Sequence, residues 1–159
     1  MEVRKIIAFK IVTWFCLFGT SCSDDLGPGA NYLSFELDGQ FWESNTADAT
    51  GSFIGSSLIS ITLTARNPQG ETLQLSIFST EVDLIEYVFS PTVGIAFSPS
   101  GNLSGPDSFR SSSCALVSGG ILLTEKEINF LSGTFSGSIC LASGEQKQIR
   151  NGVFSQVRY

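Results

Sequence analysis

Apolar and polar residues alternate with a period of two over most of the chain beyond Tyr32, the pattern of half-buried β-strands. Leu33, Phe35 and Leu37 are separated by Ser34 and Glu36. Asp38-Gly39, a strong hairpin-turn dipeptide, comes next, and Phe41-Trp42 follow it. The clearest hairpin lies further on. Ile59, Ile61, Leu63 and Ala65 alternate with Ser60, Thr62, Thr64 and Arg66, and Leu73, Leu75 and Ile77 alternate with Thr72, Gln74 and Ser76. If Pro68 to Gly70 form the loop, Asn67 faces Glu71, Leu63 faces Leu75 and Ile61 faces Ile77, so both apolar sets share one face. A loop one residue shorter would put them out of phase. Pro presets the first turn position and Gly takes the left-handed one. Tyr87-Val88-Phe89 and Val93 to Phe97 read as two short strands broken at Ser90-Pro91, and residues 98–108 as a turn-rich loop, the variable surface of the domain.

The C-terminal third predicts three consecutive strands near 113–124, 130–141 and 147–159. No segment sustains a 3.6-residue apolar period, so the fold class is all-β: an antiparallel meander closed as a β-sandwich or a small barrel. Taking Glu125 to Asn129 as a five-residue loop, Leu123 faces Leu131 and Ile121 faces Gly133. The same register sets Cys114 opposite Cys140, on the Ser/Thr-rich face with Ser118 and Ser136, and predicts a cross-strand disulfide. Pairing residues 147–149 with 139–141 puts Phe135 opposite Val153 and Leu131 opposite Val157. Gly133 and Gly137 alternate with large residues on the inner face, so they either leave a cavity or admit neighbouring side chains.

The N-terminus has a different pattern. Arg4, Lys5 and Lys10 precede the eight-residue apolar run Ile11 to Phe18, which is too short for the roughly 20 residues a spanning helix needs but suits a signal peptide. Small residues Gly19, Thr20 and Ser21 lead to Cys22, a segment that resembles a lipobox although Gly19 stands where Leu is usual. The expected organisation is a signal peptide over 1–21, a lipidated tether over 22–31 and one all-β domain over 32–159. Cys22 is the expected lipidation site, with ordinary cleavage and a free Cys22 as the alternative. Ser23, Asp24 and Asp25 look like an acidic export signal to the cell surface.

Composition sharpens this picture. The full chain has 9 Lys+Arg and 15 Asp+Glu; residues 1–21 hold three and one of these, which leaves 6 and 14 beyond them, net −8. Nucleic acid and electrostatic adhesion to anionic lipid both need clustered cations, so neither is an expected partner, and the membrane is reached through acyl chains on Cys22. The chain has no His, which excludes His-based triads and most zinc sites. No cofactor, metal or catalytic residue is assigned, and the chain is read as a non-enzyme.

The motifs Asp38-Gly39-x-x-Trp42, Gly133-Thr134-Phe135-Ser136 and Asn151-Gly152-Val153-Phe154, together with the signal and Cys22, resemble a small Bacteroidota lipoprotein family of unknown function. The resemblance covers the whole chain. It implies an all-β fold and an outer-membrane or cell-surface location, and it supplies no catalytic residues; a secreted or periplasmic protein is the alternative. Phe41 and Trp42 are candidates for stacking on a sugar ring, although alternation turns one of them inward. Glu81, Asp83 and Glu86 cluster without calcium-loop spacing, and Asp107-Ser108 is similar to an O-glycosylation site. The leading expectation is a binding module for a glycan or a surface protein. A lipocalin-like carrier of an apolar ligand comes second, and a carboxylate-dependent hydrolase third.

Overall fold

The computed structural model describes residues 29–159; the signal segment, Cys22, Ser23, Asp24 and Asp25 lie outside the described residues. The strands are β1 (Tyr32–Leu37), β2 (Gln40–Ser44), β3 (Asp48–Ile54), β4 (Ser57–Arg66), β5 (Thr72–Phe78), β6 (Glu86–Val88), β7 (Val93–Ser98), β8 (Phe109–Arg110), β9 (Gly119–Lys126), β10 (Phe130–Cys140) and β11 (Gln146–Arg158). All 11 belong to one antiparallel sheet with the path β2-β1-β11-β10-β8-β7-β5-β4-β3, and β6 and β9 branch from β10. The single sheet curls into a half-barrel, the barrel side of the expected sandwich-or-barrel alternative. The Ser44 hydroxyl at the end of β2 donates to the Arg66 carbonyl of β4 at 2.7 Å, and Phe53 of β3 stacks on Tyr159 with centroids 6.4 Å apart. Both contacts draw the two ends of the sheet path together.

Alternation dictates most of this. In the β4–β5 hairpin Leu63 faces Leu75 and Ile61 faces Ile77, as the turn chemistry requires, with Gly70 at φ +89° closing the loop. The β1–β2 turn is the two residues Asp38 (φ +51°) and Gly39 (φ +82°), a left-handed pair that matches strand twist. Inward residues meet around Phe35, which stacks on Trp42 at 4.8 Å between centroids and lies 6.0 Å from Phe97 and 5.9 Å from Phe135. The indole N–H of Trp42 finds no acceptor among the described residues.

The C-terminal strands depart from simple alternation in three ways. First, residues 113–118 are not strand. Ser111–Ser113 form a 3-10 turn, and β9 begins only at Gly119. Second, the β9–β10 loop is tighter than five residues, because the Glu127 N–H donates to the Phe130 carbonyl across Ile128-Asn129. The turn sets Lys126 opposite Leu131, and a bulge at Thr124 takes one residue back, so Leu123 faces Gly133 and Ile121 faces Phe135, two residues away from the expected register. Third, β11 pairs with β10 through two register breaks, near Asn151 (φ +51°) and Gln156 (φ +47°). The first break turns Phe154 inward and sets Phe135 opposite Gly152, not Val153. Leu131 opposite Val157 is as expected.

The disulfide joins Cys114 to Cys140, with Cα atoms 5.0 Å apart. The pair is the expected one, but its setting differs. Cys140 pairs in the ladder with Arg110 of β8, and Cys114 reaches it from the turn after β8. The bond staples the short β8 segment to the end of β10 and does not cross the β9–β10 hairpin.

Candidate functional site

Among the described residues, side chains fill the inner face of the sheet. Gly133 lacks a side chain where the Phe154 ring enters, and Gly137 where the Phe89 ring enters, so neighbouring rings occupy the space that the glycines vacate. Among the described residues, a void between the apolar side chains of Ile61, Leu75, Leu123 and Phe154 measures about 10 Å³. That is below what a single small molecule requires.

A concavity of about 990 Å³ lies outside, across β6, β9, β10 and β11. Its position follows from the period of two. Inward Ile121 and Phe135 leave Leu122, Thr134 and Ser136 on the outer face. Gly119 and Gly120 form part of the floor, where the β6 backbone comes so close that a Cβ on Gly120 would lie 2.8 Å from the Tyr87 carbonyl oxygen. Glu86 and Val88 make one wall. Gln148, Arg150 and Asn151 line the side formed by β11.

Asn151 is held by a 3.1 Å hydrogen bond from its amide to the Glu36 carboxylate, and Gln148 accepts one from the Ser138 hydroxyl at 3.0 Å. Arg150 and Glu86 make no ion pair within 4.0 Å among the described residues, so both charged ends remain available to a ligand. The groove thus offers hydroxyls from Thr134 and Ser136, amides from Gln148 and Asn151, one guanidinium and one carboxylate, beside the apolar Val88 and Leu122. This set can hydrogen-bond and pack against a polar ligand. No nucleophile is paired with a base in it.

The residues singled out from sequence are dispersed. Trp42 is in the core, so it cannot stack on a ligand, while Phe41 is 67% exposed on β2. Of the three clustered carboxylates, Glu86 lines the outer groove and Glu81 a separate one, and Asp83 lies 3.9 Å from the Lys126 amine. The Ser108 hydroxyl is buried without a partner, and Arg110 folds the preceding loop by donating to the Leu103 carbonyl. A sugar on Ser108 would need that hydroxyl at the surface, so the Asp107-Ser108 reading fails on burial. Thr134, Ser136, Gln148 and Arg150 were not among the expected ligand contacts, although the outward parity of the Gly133-Thr134-Phe135-Ser136 strand already places two of them together.

A family model described as Domain of unknown function (DUF6252) matches residues 31–158. None of the curated proteins and none of the solved structures compared with the chain matches it.

Proposed function

We propose, starting from a chain that belongs to the DUF6252 family, that this protein is a lipid-anchored surface module of Bacteroidota type that binds a glycan in its outer groove. One observation carries the reading: hydroxyl, amide, guanidinium and carboxylate groups converge on rigid strands over about 990 Å³. Sugar hydroxyls both donate and accept, and a mixed set of this kind satisfies them without a high density of charge. The filled interior takes away the chamber that a carrier of apolar ligands needs. The anchor rests on Cys22 after the apolar run and small residues, and on the negative charge of the rest of the chain, which argues for acyl chains over electrostatic adhesion.

A glycan screen of the chain from Cys22 onward, carrying Cys22→Ser, tests the binding reading. A bound oligosaccharide should lose at least about tenfold in affinity with Arg150→Ala, roughly the worth of one charge-assisted hydrogen bond. Phe41→Ala, away from the groove, should leave affinity unchanged. Binding that ignores Arg150 and the paired change Thr134→Val, Ser136→Ala would place the ligand elsewhere, and an empty screen would remove the reading. The anchor is tested separately by fractionation: Cys22→Ser should move the protein from the membrane to the soluble fraction.

A further inference from the structure

A second concavity, of about 690 Å³, opens at the barrel end formed by the β3–β4 and β9–β10 turns and by Tyr159. Its rim is apolar and exposed. Ile128 at the tip of the β9–β10 turn is 89% accessible and Phe53 is 55%, with Phe130 beside them; Ile54, next to Phe53 on the β3–β4 turn but outside the lining of the concavity, is 70% accessible. The rim is also rigid. Tyr159 stacks on Phe53, donates its hydroxyl to the Glu127 carbonyl at 2.8 Å, and is tied through its own N–H to Asn129. Side chains of this size held in water on two adjoining turn tips mark a contact surface and not scattered surface apolarity.

The path of the chain says what that surface meets. β1 runs antiparallel to β11, with Tyr32 opposite Ser155, so the chain preceding Tyr32 leaves toward the end of β11 that carries Tyr159. Asn31 is fixed there: its side chain accepts from the Arg158 N–H at 3.1 Å, and its N–H donates to the Gln156 carbonyl at 3.2 Å. Seven residue steps lead from Cys22 to Gly29, which at full extension span no more than about 25 Å. A domain of this size has a radius of gyration near 14 Å, so the connection cannot carry the opposite end of the barrel to a membrane that holds Cys22.

We infer that Phe53, Ile54, Ile128 and Phe130 form a bilayer-contacting rim that inserts at the headgroup level of an uncharged lipid surface and orients the domain with its tether end down. The inference rests on the Cys22 anchor for its biological setting. Charge favours zwitterionic lipid, because Glu81 and Glu127 flank the groove with Lys126, whose amine is engaged by the Val82 carbonyl at 2.7 Å. Four side chains make a weak contact alone, so the rim sets orientation while acyl chains supply retention.

The test uses the chain from Cys22 onward with Cys22→Ser, titrated with phosphatidylcholine vesicles and read by co-sedimentation. Weak, saturable binding is expected, and the pair Ile54→Asp, Ile128→Asp should reduce it at least tenfold. Both side chains point into solvent, so the thermal melt should not move; if it does, Ile54→Ser with Ile128→Ser gives the same reading. No binding by the parent at millimolar lipid, or equal binding by the double variant, overturns the rim. A parent that ignores vesicles but dimerises, and becomes monomeric in the double variant, assigns the rim to a second copy and overturns the lipid. Mass spectrometry showing an unmodified Cys22 in membranes would remove the anchor alone and leave the vesicle titration standing.

Discussion

Gly133 sits where a Cβ would collide with the Leu122 carbonyl oxygen and the Phe154 ring, so Gly133→Ala forces either the β9–β10 ladder or the core ring to move. The substitution should destabilise the domain by about 1–3 kcal/mol in urea denaturation, the usual cost of overpacking. A change below about 0.5 kcal/mol would show that the Phe154 ring can yield. Tyr159 gives a pH signature. Burial raises its phenol above the ordinary value of 10.0, because the ionised form loses hydration at the barrel end. The unfolded chain then releases this proton first on raising the pH. Tyr159 therefore contributes fully below about pH 10, and its contribution is lost as the pH climbs through the folded-state value. The melting temperature should fall above about pH 10, and Tyr159→Phe should remove part of that fall. An identical alkaline fall in the Phe variant would mean that other groups cause it.

At the scale of elements, legibility tracks how local the determining contacts are. The β4–β5 register followed from seven paired positions and one proline-glycine loop, and β1–β2 from Asp38-Gly39, because turn chemistry and parity act within a few residues. β3 was missed. Its one buried residue is Ala49, and its Phe53 and Ile54 are exposed, so parity gave no contrast. The breaks in β11 were hidden for a related reason. Ile149, Val153, Val157 and Tyr159 share a parity that the bulge at Asn151 overrides, and only the pull of Phe154 into the space beside Gly133 reveals it. The cysteines were paired correctly from a register that is itself off by two residues, since a turn after β8 brings Cys114 back to the same strand end. A bond between residues 26 apart should contribute about 3 kcal/mol through the unfolded chain. The pair Cys114→Ser, Cys140→Ser should lose about that much in urea, and thiol titration of the denatured, unreduced chain from Cys22 onward, which lacks Cys16 and carries Cys22→Ser, should find none free. Two free thiols per chain would contradict the bond.

For the molecule as a whole, half of the candidate groove could be read from sequence and half could not. Thr134 and Ser136 share an outward parity within one strand, but Glu86 and Val88 reach them only because β6 pairs with β9 across more than 30 residues, and no local pattern encodes that pairing. The half-barrel is a single curled sheet whose inner face is filled by rings, so the concavity described above lies on its outer face. The position of β1 has a mechanical consequence. Asn31 and Arg158 are neighbours at one end, and β1 is hydrogen-bonded to β11 along its length. A force that pulls the two termini apart would unzip β1 from β11 one rung at a time. A force between the N-terminus and a ligand held in the groove, directed along the strands, would instead load those perpendicular hydrogen bonds in shear, all at once. Single-molecule pulling should find the second geometry the stronger. A domain tethered through β1 and gripped on β10–β11 would then hold under flow a load that its own termini could not bear.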